Sequence, residues 1–199
     1  CKELAIFYSK PTAYVTDTKL RNAMYPPNNV QNARFAARYF PLHLGLLSVG
    51  ENLMPMGNWM VISKEPFRFL LAMGVGNHSL TLLKKHKEAA LQFMPWSERQ
   101  RVVRAGHLSG REVEKAKLLG FTLLPAVKLQ ATRLVEGAES AFELVLNREL
   151  TNLSREFALF VMDVVHTHGS LEPLQTHPIL YLSGEDFATL SDEHWEYVK

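Results

Sequence analysis

The chain has 199 residues and a single cysteine, Cys1, so no second thiol exists within it. An intrachain disulfide framework, a cysteine-rich zinc site and a CxxC redox pair are excluded, and a reducing, cytoplasmic setting is the expectation. Charge of one sign is also lacking: 22 Lys and Arg against 20 Asp and Glu leave a formal net charge of +2. Neither nucleic acid nor a membrane surface is expected as a partner, although a small anion could be held locally. No apolar run approaches the ~18–20 residues of a membrane span, and the opening CKELAIFYSK is too short and too charged for a signal peptide. Internal repeats are missing, as is His-Glu-x-x-His. Ser48-Val49-Gly50 and Leu182-Ser183-Gly184 lack the first glycine of G-x-S-x-G, so a hydrolase is not expected.

What remains is a chain that is 47% hydrophobic, enough for one substantial core. The turn signal Tyr25-Pro26-Pro27-Asn28-Asn29 sets off an N-terminal arm, residues 1–40, expected to pack on the domain or on a partner subunit. The domain is expected over 41–199. Its apolar runs are short: Leu42–Val49, Trp59–Ser63 and Phe67–Met73 read as successive strands, closed by the Gly50-Glu51-Asn52 turn and by Pro66. Ser79 is placed to cap a helix from Leu80 to about Ala90, after which Leu91–Met94 resumes the sheet. Ser97-x-x-Gln100 and Ser109-x-x-Glu112 read as capping boxes, the second helix stopping at Gly120. Strands are then expected at Val127–Val135, Ala141–Leu146, Phe157–Val165 and Ile179–Leu182, with a short helix over Ser191–Tyr197. Many strands without regular alternation with long helices predict a mainly β fold with helical inserts, closed as a barrel.

Gly74-Val75-Gly76-Asn77-His78-Ser79 nearly spells the G-x-G-x-x-G of a dinucleotide fold. That motif needs a parallel βαβ unit and an acid about 20 residues later, where this chain has the strand-like LQFMPW. The local chemistry survives without that fold. Glycines let backbone approach an anion, and Ser79 and Thr81 bring hydroxyls to a helix start whose N–H groups are unpaired. The plainer alternative is a turn at Gly74 and Gly76 with Ser79 as a helix cap, and a solvated lysine face at Lys84, Lys85 and Lys87.

The order of features is informative. A strand and turn lead to Met54-Pro55-Met56-Gly57-Asn58-Trp59-Met60-Val61-Ile62-Ser63 with Pro66 following, then to an apolar strand, then to Asn77-His78-Ser79-Leu80-Thr81 opening a helix. Leu108-Ser109-Gly110, Lys117 and Gly120-Phe121 punctuate the middle. Across roughly Pro41 to Leu182 this resembles the flavin reductase-like family of FMN-binding split barrels, which includes the flavoredoxins. The resemblance implies a split β-barrel and FMN as cofactor. Gly57, Asn58, Trp59, Met60 and Ser63 would then face the isoalloxazine and ribityl parts, and Gly76, Asn77, His78, Ser79 and Thr81, with Lys84, the phosphate. It departs from many relatives at Ala90-Leu91-Gln92-Phe93, where they carry an Asn, and at Met162–His166, where they carry a glycine.

The resemblance further implies an oxidoreductase that uses NAD(P)H to reduce the flavin and passes electrons to a small-molecule or protein acceptor. An electron carrier of the flavoredoxin kind, without its own nicotinamide site, is the alternative. A homodimer is expected. His166 is placed on the nicotinamide or substrate side; His166-x-His168 with His177 could also suggest a metal, but no carboxylate completes a zinc motif, and no metal is expected.

Overall fold

The computed structural model describes residues 41–169, 177–183 and 186–190. The expected N-terminal arm and the expected helix over Ser191–Tyr197 lie outside the described residues. Twelve strands and three short α-helices follow in chain order among them: β1 Leu42–His43, β2 Gly45–Val49, β3 Asn52–Met56, β4 Trp59–Lys64, β5 Phe67–Gly74, α1 His78–His86 and β6 Glu88–Phe93. After a 3-10 turn at Trp96–Glu98 come α2 Arg99–Gly106, α3 Lys115–Leu119, β7 Leu123–Pro125, β8 Arg133–Val135, β9 Ser140–Leu150, β10 Phe157–Gly169, β11 Leu180–Ser183 and β12 Asp186–Ala188.

Seven strands form one sheet in the order β3-β2-β6-β9-β10-β5-β4, every neighbouring pair antiparallel. Its two edges, β3 and β4, are consecutive in the chain and joined only by Gly57 and Asn58. Three residue steps reach at most about 11 Å, whereas the edges of a flat seven-stranded sheet would lie about 29 Å apart at the usual strand spacing. The sheet must therefore curl until its edges approach, and the result is a barrel split between β3 and β4. Pro55 is tolerated in β3 because an edge strand leaves one row of N–H groups unpaired.

Period-two alternation sorts the side chains. Leu47 and Val49 of β2, Phe69, Leu71 and Met73 of β5, and Phe160 and Met162 of β10 pack in one cluster with Leu80 and Leu83 of α1. Leu46 and Leu53 belong to a second cluster with Val102 and Ala105 of α2 and Leu119 of α3. β2 is consequently buried along its whole length, and its one polar residue, Ser48, accepts a hydrogen bond from the buried Gln92 at 2.6 Å.

Several local expectations change. α1 runs from His78 to His86, with Asn77 rather than Ser79 at the N-cap position. It ends at Lys87, whose φ of 61° is left-handed, and Glu88–Phe93 is strand. The two alanines that suit a helix, Ala89 and Ala90, are fully buried between β2 and β9, so sheet packing overrides their propensity. Neither capping box forms: Ser97 sits inside the 3-10 turn, and the Ser109 hydroxyl accepts the Arg111 N–H at 3.3 Å in a turn before α3. Gly120 does end α3, with a φ of 72°.

The long strand expected over Val127–Val135 is reduced to β8, because carboxylates replace its ladder. Glu143 of β9 accepts the N–H groups of Val127, Lys128 and Leu129 at 2.8, 2.6 and 3.2 Å. Glu88 of β6 accepts those of Gln130, Ala131 and Thr132 at 3.1, 2.6 and 2.6 Å. The loop is pinned over the sheet with Leu129 packed beside Ala90, Leu134 and Ala141. Burial pulls the Glu143 pKa upward. The N–H of Val127, the His168 ring at 2.7 Å and the N–H groups of Lys128 and Leu129 outweigh it, and the net value lies below the usual 4.5. A depressed carboxylate stabilises the fold above its unfolded pKa and loses that contribution as the pH falls through its folded pKa. Glu143→Gln, which sets an NH2 group among N–H donors, is expected to cost about 3 kcal/mol at neutral pH. Urea unfolding should show this deficit shrinking as the pH falls below the carboxylate range; a deficit unchanged with pH would contradict it.

Candidate functional site

β5 ends at Gly74 and delivers the chain to α1 through a turn in which the Asn77 N–H bonds Gly74 O at 3.0 Å. No side chain caps α1 and no acid stands in its first turn, so the positive end of the helix dipole is not offset locally. Ser79, 2% exposed, accepts the Asn52 Nδ2–H at 2.7 Å, while Asn52 Oδ1 is buried without a partner among the described residues. The Arg111 guanidinium reaches over this helix start and donates to Gly76 O at 3.2 Å. A Cβ built on Gly76 meets nothing within 4 Å, which leaves open room beside these donors. Helix N–H groups, a hydroxyl and a guanidinium with an orphaned polar atom at their side suit a phosphate.

The loop from residue 109 onward closes one flank. A Cβ on Gly110 would lie 2.0 Å from Asn52 Oδ1 and 3.2 Å from the His78 ring, so only glycine allows this approach. A cavity of about 670 Å³ follows, lined by His78, Asn52, Arg111 and Lys115 among others. Lys115 is buried and donates its Nζ to Leu53 O at 2.9 Å and Ala105 O at 2.7 Å, tying α3 to β3 and α2. Burial lowers its pKa. The lysine singled out in the sequence, Lys117, is exposed, two residues further on.

The second group of expected residues lies along β4. Asn58 O accepts the Ala72 N–H at 2.9 Å and Trp59 pairs with Leu71, so β4 begins beside the last residues of β5, close to the turn into α1. Trp59 turns inward, donating its indole N–H to His43 O at 2.9 Å. Burial keeps the His43 pKa below its ordinary value. Met60, Val61 and Ile62 are 55, 42 and 42% exposed, an apolar stretch on an edge strand paired on one side only, with β5. Ser63 is half-buried opposite Arg68, whose guanidinium bonds Asp163 at 2.6 Å. Asn147 and Arg68 together hold the Asp163 carboxyl below its usual range.

The structure thus brings Gly76, Asn77, His78 and Ser79 to one helix start and joins them through β5 to Gly57, Asn58 and Trp59. Thr81 is exposed in the next part of the helix, and Lys84 bonds Glu149 at 2.8 Å. His166 stands on β10 with its ring 4.6 Å from that of His168. His168 is committed to Glu143, and His177 Nδ1 lies 3.4 Å from Leu190 O. Among the described residues no three His, Cys, Asp or Glu side chains converge as metal ligands, and no helix is long and apolar enough to cross a membrane. Asn52 and Arg111 were not singled out from sequence. Their partners lie 27 and 35 residues away, and no local spacing reports such contacts.

Gly110→Ala forces the Asn52 side chain off Ser79 and is expected to lower stability by about 1–3 kcal/mol. Urea unfolding measures this; a neutral substitution would mean that the loop is free to move away.

Comparison with known proteins bears on the family and the fold. The family model of the flavin reductase like domain matches residues 38–190. An FMN-binding protein from Thermus thermophilus, with bound p-hydroxybenzaldehyde, is 23% identical, covers 80% of this chain and 91% of its own, and has a TM-score of 0.71. Flavoredoxin from Methanosarcina acetivorans is 15% identical over 80% of this chain and 90% of its own, at a TM-score of 0.72. The NADH:FAD oxidoreductase of Streptomyces globisporus C-1027 is 15% identical over 83% of this chain and 95% of its own, at 0.70. No curated protein matches the chain. At these identities the structural likeness shows the fold, the FMN-binding split barrel expected from the sequence. With the family model spanning all of the described residues, the chain belongs to the flavin reductase like family.

Proposed function

We propose that the chain is an FMN-binding oxidoreductase that takes reducing equivalents from NAD(P)H and passes them to a second, small-molecule or protein acceptor. The observation that carries this reading is the uncapped start of α1, where the buried Ser79 is oriented by Asn52 and Arg111 leans over Gly76. In this reading the first-turn N–H groups, Ser79 and Arg111 hold the phosphate, with Asn77, His78 and Thr81 beside it. Lys84 adds long-range positive charge only, its ammonium being engaged by Glu149. Gly57, Asn58, Trp59, Met60 and Ser63 of the β3–β4 link and β4 meet the ribityl chain and ring. When bound, the flavin supplies the redox chemistry, accepting a hydride and releasing electrons. The protein's part is to bind, to orient the ring against a rigid strand and to keep water from one side of it. No acid or base of the chain is required, and His166 on β10 is assigned to the nicotinamide or acceptor side.

The exposed apolar stretch Met60–Ile62 supports pairing with a second copy of the chain, which the mass in solution would report as a multiple of 22.6 kDa. A cytoplasmic location is part of the same reading. The likeness to a flavoredoxin supports the alternative of an electron carrier without its own nicotinamide site.

Ser79→Ala combined with Thr81→Ala is expected to weaken FMN binding by tenfold or more, the loss of about one charge-assisted hydrogen bond. Lys85→Ala, on the solvated face, should leave it unchanged. Equal FMN affinities for the three proteins in a fluorescence titration would remove the phosphate assignment. Adding NADH or NADPH anaerobically to the FMN-loaded protein should abolish the visible flavin band at once. A band that persists until another reductant is added identifies the carrier instead.

A further inference from the structure

The interior of the barrel holds a second feature, of which the flavin reading uses only Trp59. Trp59, Phe69, Phe142 and Phe93 form a closed circuit of edge-to-face contacts, with successive ring centroids 5.8, 5.2, 6.2 and 5.1 Å apart. Phe67 stands 5.8 Å from Phe142 at 90°, and the His43 ring lies 4.4 Å from that of Phe93. These six rings line a cavity of about 270 Å³. An apolar cavity of about 150 Å³ already admits benzene, so there is room here for one substituted ring. Glu139 also lines the cavity, from the turn before β9, and its carboxylate makes no hydrogen bond among the described residues.

We propose that this cavity binds a small neutral aromatic molecule of the phenol class, its ring held among the aromatic side chains and its hydroxyl donated to Glu139. Edge-to-face packing is the geometry aromatic rings prefer with one another, and the walls offer it from several sides. An unbonded acceptor beside apolar walls favours a ligand that brings one donor. Charge is disfavoured. Burial raises the pKa of Glu139, against the opposing pull of His177, and lowers that of His43, moving both toward their uncharged forms. A neutral ring is the favoured occupant, with an organic cation as the competing outcome of the test. The site shares Trp59 with the residues assigned to the flavin but does not depend on flavin being bound.

Calorimetric titration of p-cresol, toluene and benzylammonium into the full chain, with and without FMN, tests this. One p-cresol should bind per chain, about tenfold tighter than toluene. Glu139→Ala should abolish that advantage without changing toluene affinity, and Val61→Phe, which fills the cavity from β4, should weaken both. Equal affinity for p-cresol and toluene, no binding of either, or tighter binding of benzylammonium would overturn the proposal. So would loss of p-cresol binding when FMN is loaded, since the cavity would then belong to the flavin ring. A protein that takes p-cresol but never FMN would keep this site and overturn the flavin reading instead.

Discussion

Two residues, Gly57 and Asn58, join the two edges of a seven-stranded sheet, and the rest of the architecture follows from that short connection. Because β3 and β4 cannot part by more than the reach of the link at that end, the sheet between them has to curl. Curling gives one face a closed interior, which the aromatic and aliphatic side chains of β5, β6, β9 and β10 fill together with Leu80 and Leu83 of α1. It gives the other face a convex surface, on which α2 and α3 lie over β2 and β3. It also starts β4 beside the end of β5, so that the helix start after Gly74 and the exposed edge of β4 form neighbouring parts of one surface.

Several polar side chains inside this frame fasten backbone segments to the main sheet. Glu88 and Glu143 stand on adjacent strands and between them satisfy six successive N–H groups of the loop before β8. Gln92, buried between β2 and β9, donates to Ser48 at 2.6 Å and accepts the Val135 N–H at 2.5 Å, anchoring the next strand. Lys115 spends two of its donors on the carbonyls of β3 and α2. Glu143, Gln92 and Lys115 are buried and Glu88 is half-buried, and each is matched to backbone groups, which makes it costly to remove and fixes one arrangement of the loops. Asn52 breaks that pattern. One of its polar atoms has a partner in Ser79 and the other has none, and it does so at the helix start assigned to the ligand.

The strands were legible where period-two patterning and turn residues agreed, as in Phe67–Met73 before Gly74 and in the long run from Phe157. Ser79–Ala90 misled because Ala89 and Ala90 favour a helix by propensity, while their full burial between two strands is a fact of tertiary structure. Val127–Val135 misled because its alternation suits a strand but its N–H groups go to carboxylates on other strands, which no local window contains. Of the site, the helix start and the β4 block were readable as ordered motifs carried by a resemblance. Arg111 and Asn52 were not, since both reach the site through loops and edge strands whose positions depend on how the sheet curls. The aromatic circuit was invisible for the same reason: its rings come from β4, β5, β6 and β9, and their sequence spacing is that of any barrel core.

The chemistry implied for this fold divides labour plainly. In the proposed reading the redox step belongs to a flavin, and the chain contributes the helix start for its phosphate, the apolar edge of β4 and the aromatic interior. The central claim is thus one of binding, and the absorption spectrum of the purified protein after addition of FMN and removal of the excess tests it most directly. A bound flavin band with one FMN per chain is the predicted result. A colourless protein, with a melting temperature indifferent to FMN, would contradict the account.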